Sequence, residues 1–243
     1  MSQEVIIVSL GGSIIIPGKI DFNFLKKFRV LILKYLKQGK KFFIVTGGGS
    51  TARHYQQSAS KVISLTKNDL DWLGIHGTKI NAHLLRTIFR QQAYPKIITN
   101  PTKAKTNIKT PIVIASGWKP GWSTDFVAVK LAQTYKAKTI LNLSNLSFVC
   151  DKDPKKFKDA KPIKKINWQN FRKLVGNKWD PGLNLPFDPI ASMLAEKLNL
   201  TVVILKGTDI KNLDSFLNNK IFKGTVITNQ LSIINYQLTI TNY

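Results

Sequence analysis

The feature that most constrains the fold is a repeated pairing of a short apolar run with a glycine-bearing turn. "VIIVSL" (5–10) precedes Gly-Gly-Ser, "FFIVT" (42–46) precedes Gly-Gly-Gly-Ser, and "PIVIAS" (111–116) precedes "GWKPGWSTD" (117–125). Continuous apolar runs rich in β-branched residues are typical of strands that are buried on both faces. Helix-like segments separate these runs. The alternation predicts an α/β fold, a three-layer αβα sandwich with a mostly parallel central sheet.

The first helix shows the helical period clearly. Within "NFLKKFRVLILKYLKQG" (23–39), apolar residues recur at the four-residue step of a helix face: Phe24, Phe28, Ile32 and Leu36. Asp21 or Asn23 can cap the start of this helix, and Gly39 is suited to its end.

The same alternation continues to about residue 228. Further helices are predicted in "TARHYQQSA" (51–59), "INAHLLRTIFRQQ" (80–92), "DFVAVKLAQTYK" (125–136), "NWQNFRKLVG" (167–176) and "DPIASMLAEKL" (188–198). Further strands are predicted in "PKIIT" (95–99), "TILNL" (139–143), "TVVIL" (201–205) and "GTVIT" (224–228). Residues 229–243 are predicted to form an edge strand or an ordered tail.

Composition narrows the class of protein. The 243 residues are 43% hydrophobic, with apolar runs far shorter than a membrane span needs, and a single cysteine excludes an internal disulfide. No set of Cys and His has zinc spacing. We therefore expect a cytoplasmic protein with no membrane partner. The net charge of +24 is spread along the chain without an Arg-rich tract, so no specific nucleic-acid partner is expected, although the charge would steer anionic substrates.

The glycine turns indicate where a ligand binds. In open parallel sheets, ligands bind beyond the carboxyl ends of the strands, where glycine lets backbone N–H groups approach a phosphate. Three such turns favour a phosphate ligand more than any one of them does. Neither GxxxxGK[ST] nor GxGxxG is present, which argues against a P-loop or a Rossmann site.

Taken together and in this order, the motifs resemble the amino acid kinase superfamily, and most closely its archaeal-type uridylate kinase (UMP kinase) branch. The motifs that carry the resemblance are "SLGGS" (9–13), "TGGGSTAR" (46–53), "DWLGIHGTKINA" (71–82), "GWKPGWSTD" (117–125), "NLSN" (142–145), "DKDPKKFKDAKPIKKI" (151–166) and "DPIAS" (188–192). The resemblance implies a magnesium-dependent transfer of the γ-phosphoryl group of ATP to UMP, giving UDP. It also implies a homo-oligomer, commonly a hexamer.

The resemblance assigns roles residue by residue. It implies ATP-binding residues at Ser9, Leu10, Gly11, Gly12, Ser13, Gly49, Arg53, Ser144, Asn145, Cys150 and Asp153. It implies UMP-binding residues at Gly48, Asp71, Trp118, Lys119, Pro120, Gly121, Trp122, Ser123 and Thr124. Catalytic roles fall to Asp125, which would open the next helix and orient the site, and to Arg53. No protein metal ligand is implied, and residues 1–228 would form one kinase-like domain, with the acceptor side at about 1–115 and the ATP side at about 116–228.

The residue types suit this chemistry without the resemblance. Phosphoryl transfer depends on positioning and charge neutralisation, and a phosphate acceptor is already ionised at neutral pH because its second pKa is about 6. No general base is needed, and His54, His76 and His83 lie on helical stretches as surface or packing residues. Segments 22–68 and 72–124 contain no acidic residue, which lowers repulsion around polyphosphates.

Several positions keep alternative interpretations. Trp118 and Trp122 either pack under the loop or face the uracil, and Lys119 is either a surface charge or a phosphate partner. Asp125 also suits a helix start through the helix dipole alone, by about 0.3–1 kcal/mol.

Three positions depart from the family pattern. Ser9 and Met193 replace lysines that many relatives carry, and Cys150 replaces an aromatic that commonly packs on adenine. The cation that compensates would be Arg53, Lys119 or Lys178. Two other functions remain. One is a kinase for a carboxylate, carbamate or isopentenyl phosphate acceptor, because the acceptor is inferred from the resemblance. The other is a catalytically weak nucleotide-binding regulatory protein, which the missing lysines at Ser9 and Met193 support.

Overall fold

The computed structural model describes residues 4–105, 107–154, 156–176 and 185–230. The described strands are β1 (Val5–Leu10), β2 (Lys41–Thr46), β3 (Ile112–Ala115), β4 (Thr139–Ser144), β5 (Val149–Cys150), β6 (Pro162–Ile163), β7 (Lys165–Ile166), β8 (Thr201–Lys206) and β9 (Thr225–Ile227). The described helices are α1 (Gly12–Ile15), α2 (Phe22–Leu36), α3 (Gly49–Ser60), α4 (Lys67–Ile88), α5 (Thr124–Tyr135), α6 (Trp168–Val175), α7 (Pro189–Lys197) and α8 (Ile210–Leu217).

The central sheet has seven strands in the order β3-β2-β1-β4-β8-β9-β7. All pairs are parallel except β8 with β9, which is antiparallel. Strand β1 lies between β2 and β4, so the chain first extends the sheet to one side and then to the other. The carboxyl ends of β1 and β4 meet at this switch point, which is where open α/β sheets bind ligands.

Helices cover both faces of the sheet because each strand alternates its side chains between two hydrophobic cores. Ile6, Val8 and Leu10 of β1 belong to the core shared with α2, α4 and α8, whereas Ile7 faces the core shared with α5, α6 and α7. The predicted three-layer αβα sandwich with a mostly parallel sheet is therefore confirmed.

The helix ends follow the capping chemistry. Asp21, not Asn23, caps α2 by accepting a hydrogen bond from the Phe24 N–H at 2.9 Å, and Gly39 follows that helix with a φ of +84°. Thr66 and Asp69 form a reciprocal capping box at the start of α4.

Two predicted elements between residues 80 and 99 differ in length from the observed ones. The helix predicted at 80–92 is the second half of α4, which begins at Lys67 and ends at Ile88, because glycines and polar residues hide the apolar period in its first half. The predicted strand 95–99 contributes only a single bridge, from Ile98 to Ala115. Apart from Asn229 and Gln230, the predicted tail 229–243 lies outside the described residues, as does Lys178.

Within the described part of the chain, no helix combines the length and apolar character that crossing a membrane requires.

Candidate active site

The glycine turns after β1 and β2 pack directly against each other, backbone to backbone. A Cβ atom on Gly12 would lie 2.1 Å from the Gly49 nitrogen, and one on Gly49 would lie 2.3 Å from the Gly12 carbonyl oxygen. Gly49 also has a φ of +60°, which glycine adopts readily and most other residues do not. Gly11 joins the turn to β4, since its N–H donates to the Leu143 carbonyl at 2.9 Å. The close approach of the two turns is therefore by itself a reason for glycine at positions 12 and 49, whether or not a phosphate binds there.

Asp125 connects three parts of the site. Its Oδ1 accepts hydrogen bonds from the Ser9 hydroxyl at 2.9 Å and from the Asn142 amide at 3.2 Å. Its Oδ2 accepts from the Asp188 N–H at 3.2 Å. One carboxyl group thus links the end of β1, the strand β4 and the start of α7.

Burial raises the pKa of the Asp125 carboxyl to about 7; the hydrogen bond from Ser9 acts in the opposite direction, and the charge of Asp188 adds to the rise. Burial also raises the pKa of Asp188, against hydrogen bonds from the Ala191 N–H and from Ser123. Asp188 is 5% exposed and caps α7 at 2.6 Å from the Ala191 nitrogen. The motif "DPIAS" contains Asp188, but the sequence alone predicted no role for this residue.

A cleft of about 260 Å³ opens beside the β2 turn, between α3, α4 and the loop at 117–124. Seven residues with a predicted nucleotide role line it: Gly48, Gly49, Arg53, Asp71, Trp122, Ser123 and Thr124. Seven others complete the walls: Ala52, Gln56, Leu70, Gly74, Ile75, Thr78 and Gly117. The structure thus brings together residues that lie up to 76 positions apart in the sequence.

The loop at 117–124 is held to the cleft wall by Asp71. Its Oδ2 accepts a hydrogen bond from the Gly121 N–H at 2.7 Å, which leaves Oδ1 for another donor. Ser123 closes the loop by capping α5, where its Oγ accepts from the Phe126 N–H at 3.1 Å. Asp71 therefore has a loop contact in addition to its predicted ribose contact.

The two indoles of this loop pack on protein. The rings of Trp118 and Trp122 lie 5.9 Å apart, and Trp122 lies 4.0 Å from the ring of Phe126. The Lys119 ammonium sits 4.5 Å from the Trp118 ring centre, a cation–π contact. Of the two indoles, only Trp122 lines the cleft. Both rings therefore pack on protein, and Trp122 also forms part of the cleft wall.

Most residues with a predicted ATP role lie at the ends of β1 and β4, outside this cleft, whereas Gly49 and Arg53 line it. The Asn145 amide donates to the Ser13 hydroxyl at 3.1 Å, which brings the two turns together. The Ser144 carbonyl accepts from the Gly207 N–H at 2.8 Å, so the end of β8 joins them. Cys150 lies on β5 opposite Pro162, and burial raises the pKa of its thiol. Asp153 is exposed in the segment that follows β5.

Sequence reasoning missed a face of α4 that builds the cleft. Gly74, Gly77, Thr78 and Asn81 recur at the helical spacing i, i+3, i+4 and i+7, so they share one face. Gly77 lets α3 approach, because a Cβ there would lie 2.9 Å from the Ala52 Cβ. A stripe of small and polar residues at helical spacing is a signal that the sequence contained.

The mostly parallel sheet, the glycine turns at its strand ends and the cleft beside them together define an α/β protein of the phosphotransferase class. The amino acid kinase family model matches residues 4–206, and the chain belongs to this family. The chain is similar to the uridylate kinase of Methanospirillum hungatei, at 33% identity over 92% of this chain and 94% of the relative. It is also similar to the uridylate kinase of Methanocorpusculum labreanum, at 31% identity over 92% of this chain and 95% of the relative.

Solved structures agree with this assignment. The crystal structure of the uridylate kinase from Archaeoglobus fulgidus superimposes with a TM-score of 0.79 at 28% identity, covering 92% of this chain and 99% of that chain. The UMP kinase structure from Ureaplasma parvum, with a TM-score of 0.76 at 20% identity, shares the fold.

Proposed function

We propose that the protein is a UMP kinase that transfers the γ-phosphoryl group of ATP to UMP and gives UDP for pyrimidine nucleotide synthesis. The observation that carries this proposal is the cleft that gathers Gly48, Asp71 and Trp122–Thr124 beside Gly49 and Arg53. The similarity to archaeal uridylate kinases supports UMP as the acceptor. In this proposal the UMP ribose binds Asp71, and its phosphate lies near the start of α5, where helix N–H groups favour an anion.

ATP is proposed to bind across the switch point between β1 and β4. Ser9–Ser13 and Gly49 would cradle its phosphates, and Ser144, Asn145, Cys150 and Asp153 would surround its nucleoside. The hydrogen bond between Asn145 and Ser13 supports this arrangement, because it places the two predicted segments side by side.

The transfer itself needs no general base. The UMP phosphate carries a nucleophilic oxygen that is ionised near neutral pH. The protein therefore contributes position and charge. Among the described residues, Arg53 is the cation that lines the cleft. Its Nη2 donates to the Ser50 hydroxyl at 3.1 Å, which keeps the guanidinium at the start of α3. Asp125 would orient Ser9 and the start of α7 around the reacting groups.

Magnesium fits this site as a partner of ATP. Among the described residues, no cluster of three or more His, Cys, Asp or Glu side chains is suited to a metal ion. Mg²⁺ commonly binds substrate phosphates and keeps several waters, so the turns that hold the phosphates, Ser9–Ser13 and Gly49, would hold it indirectly. Bound with ATP, it would neutralise charge on the β- and γ-phosphate oxygens.

The proposal is tested by a coupled assay of the purified protein with ATP and Mg²⁺. The acceptors are UMP, CMP, dUMP, a carboxylate, carbamate and isopentenyl phosphate. We expect ADP release with UMP at the highest kcat/KM. Turnover with a different acceptor alone would reassign the substrate within the family. Absence of turnover with every acceptor, together with tight binding of ATP or nucleic acid, would favour the regulatory alternative.

Asp71→Ala is expected to raise the KM for UMP by about ten- to a hundredfold while kcat changes less. The reason is the loss of a charged hydrogen bond to the ribose, which contributes about 1.5–3 kcal/mol. The loss of the Gly121 contact would add to the effect. Steady-state kinetics with varied UMP at saturating ATP measure it.

Asp69→Ala is the matched control, because it removes the same charge from the same helix two residues away. Asp69 caps α4 through Thr66 and does not line the proposed acceptor cleft, so its loss should lower stability and leave the KM for UMP near the wild-type value. Equal KM values for wild type and Asp71→Ala would refute the ribose assignment.

The remaining expectations extend the proposal. A homo-oligomer, a hexamer by resemblance, and a cytoplasmic location stay predictions; analytical ultracentrifugation tests the first. The division into an acceptor side before about residue 115 and an ATP side after it also stays a prediction. The proposed acceptor cleft takes Trp122–Thr124 from beyond that boundary.

A further inference from the structure

Two buried polar side chains of α4 connect that helix to both glycine-bearing walls of the cleft. Asn81 is 1% exposed and Thr78 is 5% exposed. Three positions separate them, so they lie on the same face of the helix, one turn apart. Each is hydrogen bonded to the backbone of a different turn. The face of α4 that looks toward the sheet therefore has a polar function besides packing.

Asn81 holds the turn that follows β2. Its Nδ2 donates to the carbonyl oxygens of Gly47 at 2.8 Å and Gly48 at 3.0 Å. Its Oδ1 lies 3.5 Å from the Thr51 hydroxyl, at the limit of a hydrogen bond. Both amide hydrogens are thus used on two successive carbonyl groups of the glycine turn.

These two bonds fix the direction of two N–H groups. In a trans peptide the N–H points opposite to the C=O, and the described chain has no cis peptide. The N–H groups of Gly48 and Gly49 therefore point away from Asn81. Neither has a backbone hydrogen-bond partner among the described residues, and both glycines line the cleft. Adjacent N–H groups without a partner at a helix start form an anion site.

Thr78 holds the other wall. Its hydroxyl accepts a hydrogen bond from the Gly117 N–H at 2.8 Å and donates to the Ile75 carbonyl at 2.6 Å. Its own carbonyl accepts from the Thr46 hydroxyl at 3.0 Å, at the end of β2. The point where the 117–124 loop leaves β3 is thus tied to α4.

We propose that Asn81 is a positioning residue for phosphoryl transfer. It acts through the carbonyls of Gly47 and Gly48 to aim the N–H groups of Gly48 and Gly49 at the transferred phosphoryl group. Thr78 positions the loop at 117–124, here called the acceptor loop, and not the glycine turn that follows β2. The inference rests on the proposed kinase function, and it separates two roles along one face of α4.

The test compares Asn81→Leu with Thr78→Val. Asn81→Leu keeps the number and branching of the side-chain heavy atoms and removes both donors, so kcat should fall by about ten- to a hundredfold with the KM for UMP within about threefold of wild type. Thr78→Val removes the bond to Gly117, so the KM for UMP should rise more than kcat falls. A loss of packing alone would not lower mainly kcat in one variant and raise mainly the KM for UMP in the other.

Leu85→Ala is the control for simple destabilisation. Leu85 is fully buried, one turn beyond Asn81 on α4, and belongs to the hydrophobic core between α4 and the sheet. Asn81→Asp, which preserves shape and loses both donors, replaces the leucine variant if that one does not fold. Asn81→Gln keeps the amide and should recover part of kcat. A kcat for the Leu and Asp variants within about threefold of Leu85→Ala would overturn the positioning role.

Hydrogen exchange provides a readout that does not depend on the acceptor. The N–H groups of Gly47, Ser50 and Ala52 donate to the carbonyl oxygens of Leu10, Ile16 and Gly48. Relative to amides elsewhere in the sheet of the same variant, their exchange should accelerate at least about tenfold in Asn81→Leu and not in Leu85→Ala. If the wild type fails to phosphorylate UMP, the proposed function fails, and exchange still decides whether Asn81 holds the glycine turn in place. Unchanged exchange at these three amides would overturn it.

Discussion

Asp125→Asn is expected to lower kcat for UMP phosphorylation at least about tenfold while the fold persists. The carboxyl group of Asp125 accepts from Ser9, Asn142 and the Asp188 backbone. An amide cannot accept all three bonds, so at least one of these groups must move. Displacements of about 1 Å at a transfer site cost about a hundredfold in rate. Single-turnover measurements with preformed ATP complex isolate this step from binding.

The same substitution should stabilise the nucleotide-free protein at alkaline pH. Burial raises the pKa of Asp125 in the folded state to about 7, well above its value in an unfolded chain. The folded state therefore holds a proton that the unfolded state has lost, and wild-type stability falls as the pH rises from about 4 to about 7, by up to about 1.4 kcal/mol per pH unit. The amide of the Asp125→Asn variant cannot titrate, so this loss should be absent there.

Thermal unfolding of both proteins between pH 5 and pH 8.5 measures the difference. The Tm of Asp125→Asn minus that of wild type should increase with pH and level off above the folded pKa of about 7. Parallel Tm profiles would show that Asp125 is not a buried acid of raised pKa. A wild-type kcat in the variant would remove its proposed role in orienting the site.

Gly12→Ala is the second substitution with a large expected effect. The added methyl group would lie 2.1 Å from the Gly49 nitrogen and 2.6 Å from the carbonyl carbons of Gly47 and Gly48. These are main-chain atoms, so the two turns must separate. We expect kcat/KM for ATP to fall about a hundredfold or more, because both proposed phosphate-binding turns shift together. Overpacking also lowers the free energy of unfolding by about 1–3 kcal/mol.

Gly18→Ala is the matched control, because Gly18 is exposed and a Cβ there meets no atom within 4 Å. It should keep wild-type kinetics, and its free energy of unfolding should stay within about 0.5 kcal/mol of the wild-type value. Crystal structures of both variants would show whether the β1 and β2 turns have moved apart. Wild-type kinetics for Gly12→Ala would contradict the close packing of the turns.

The sequence predicted what is encoded locally. The run at 5–10 forms a strand with those bounds, and Asp21 caps the helix that begins one residue later. The glycine turns were placed correctly at strand ends, because glycine directly after a continuous apolar run is typical of the turn from a strand to a helix in an α/β protein. The cleft residues Asp71 and Trp122 were named from the motifs that contain them.

The remainder depends on contacts between distant segments. Strand β9 pairs antiparallel with β8, and nothing in "GTVIT" encodes that direction. Gly12 and Gly49 look alike as phosphate-binding glycines, and only their mutual approach shows a packing requirement. Thr78 and Asn81 look like ordinary polar positions of a helix until the turns they hold are known. The spacing of Thr78 and Asn81 shows that they share one face of the helix, but it does not show what that face contacts.

The indoles of Trp118 and Trp122 beside the cleft allow ligand binding to be followed by intrinsic tryptophan fluorescence. Trp122 lines the cleft, packs against the Phe126 ring at an interplanar angle of 39° and lies near Trp118, over whose ring the Lys119 ammonium sits. Indole emission depends on local polarity and on nearby charge, so any ligand that enters the cleft and shifts Lys119 changes the fluorescence of this pair. Trp168 is fully buried in the hydrophobic core against whose edge Trp118 and Trp122 pack, and it supplies a steady background signal. Occupancy of the acceptor cleft can therefore be titrated without a label.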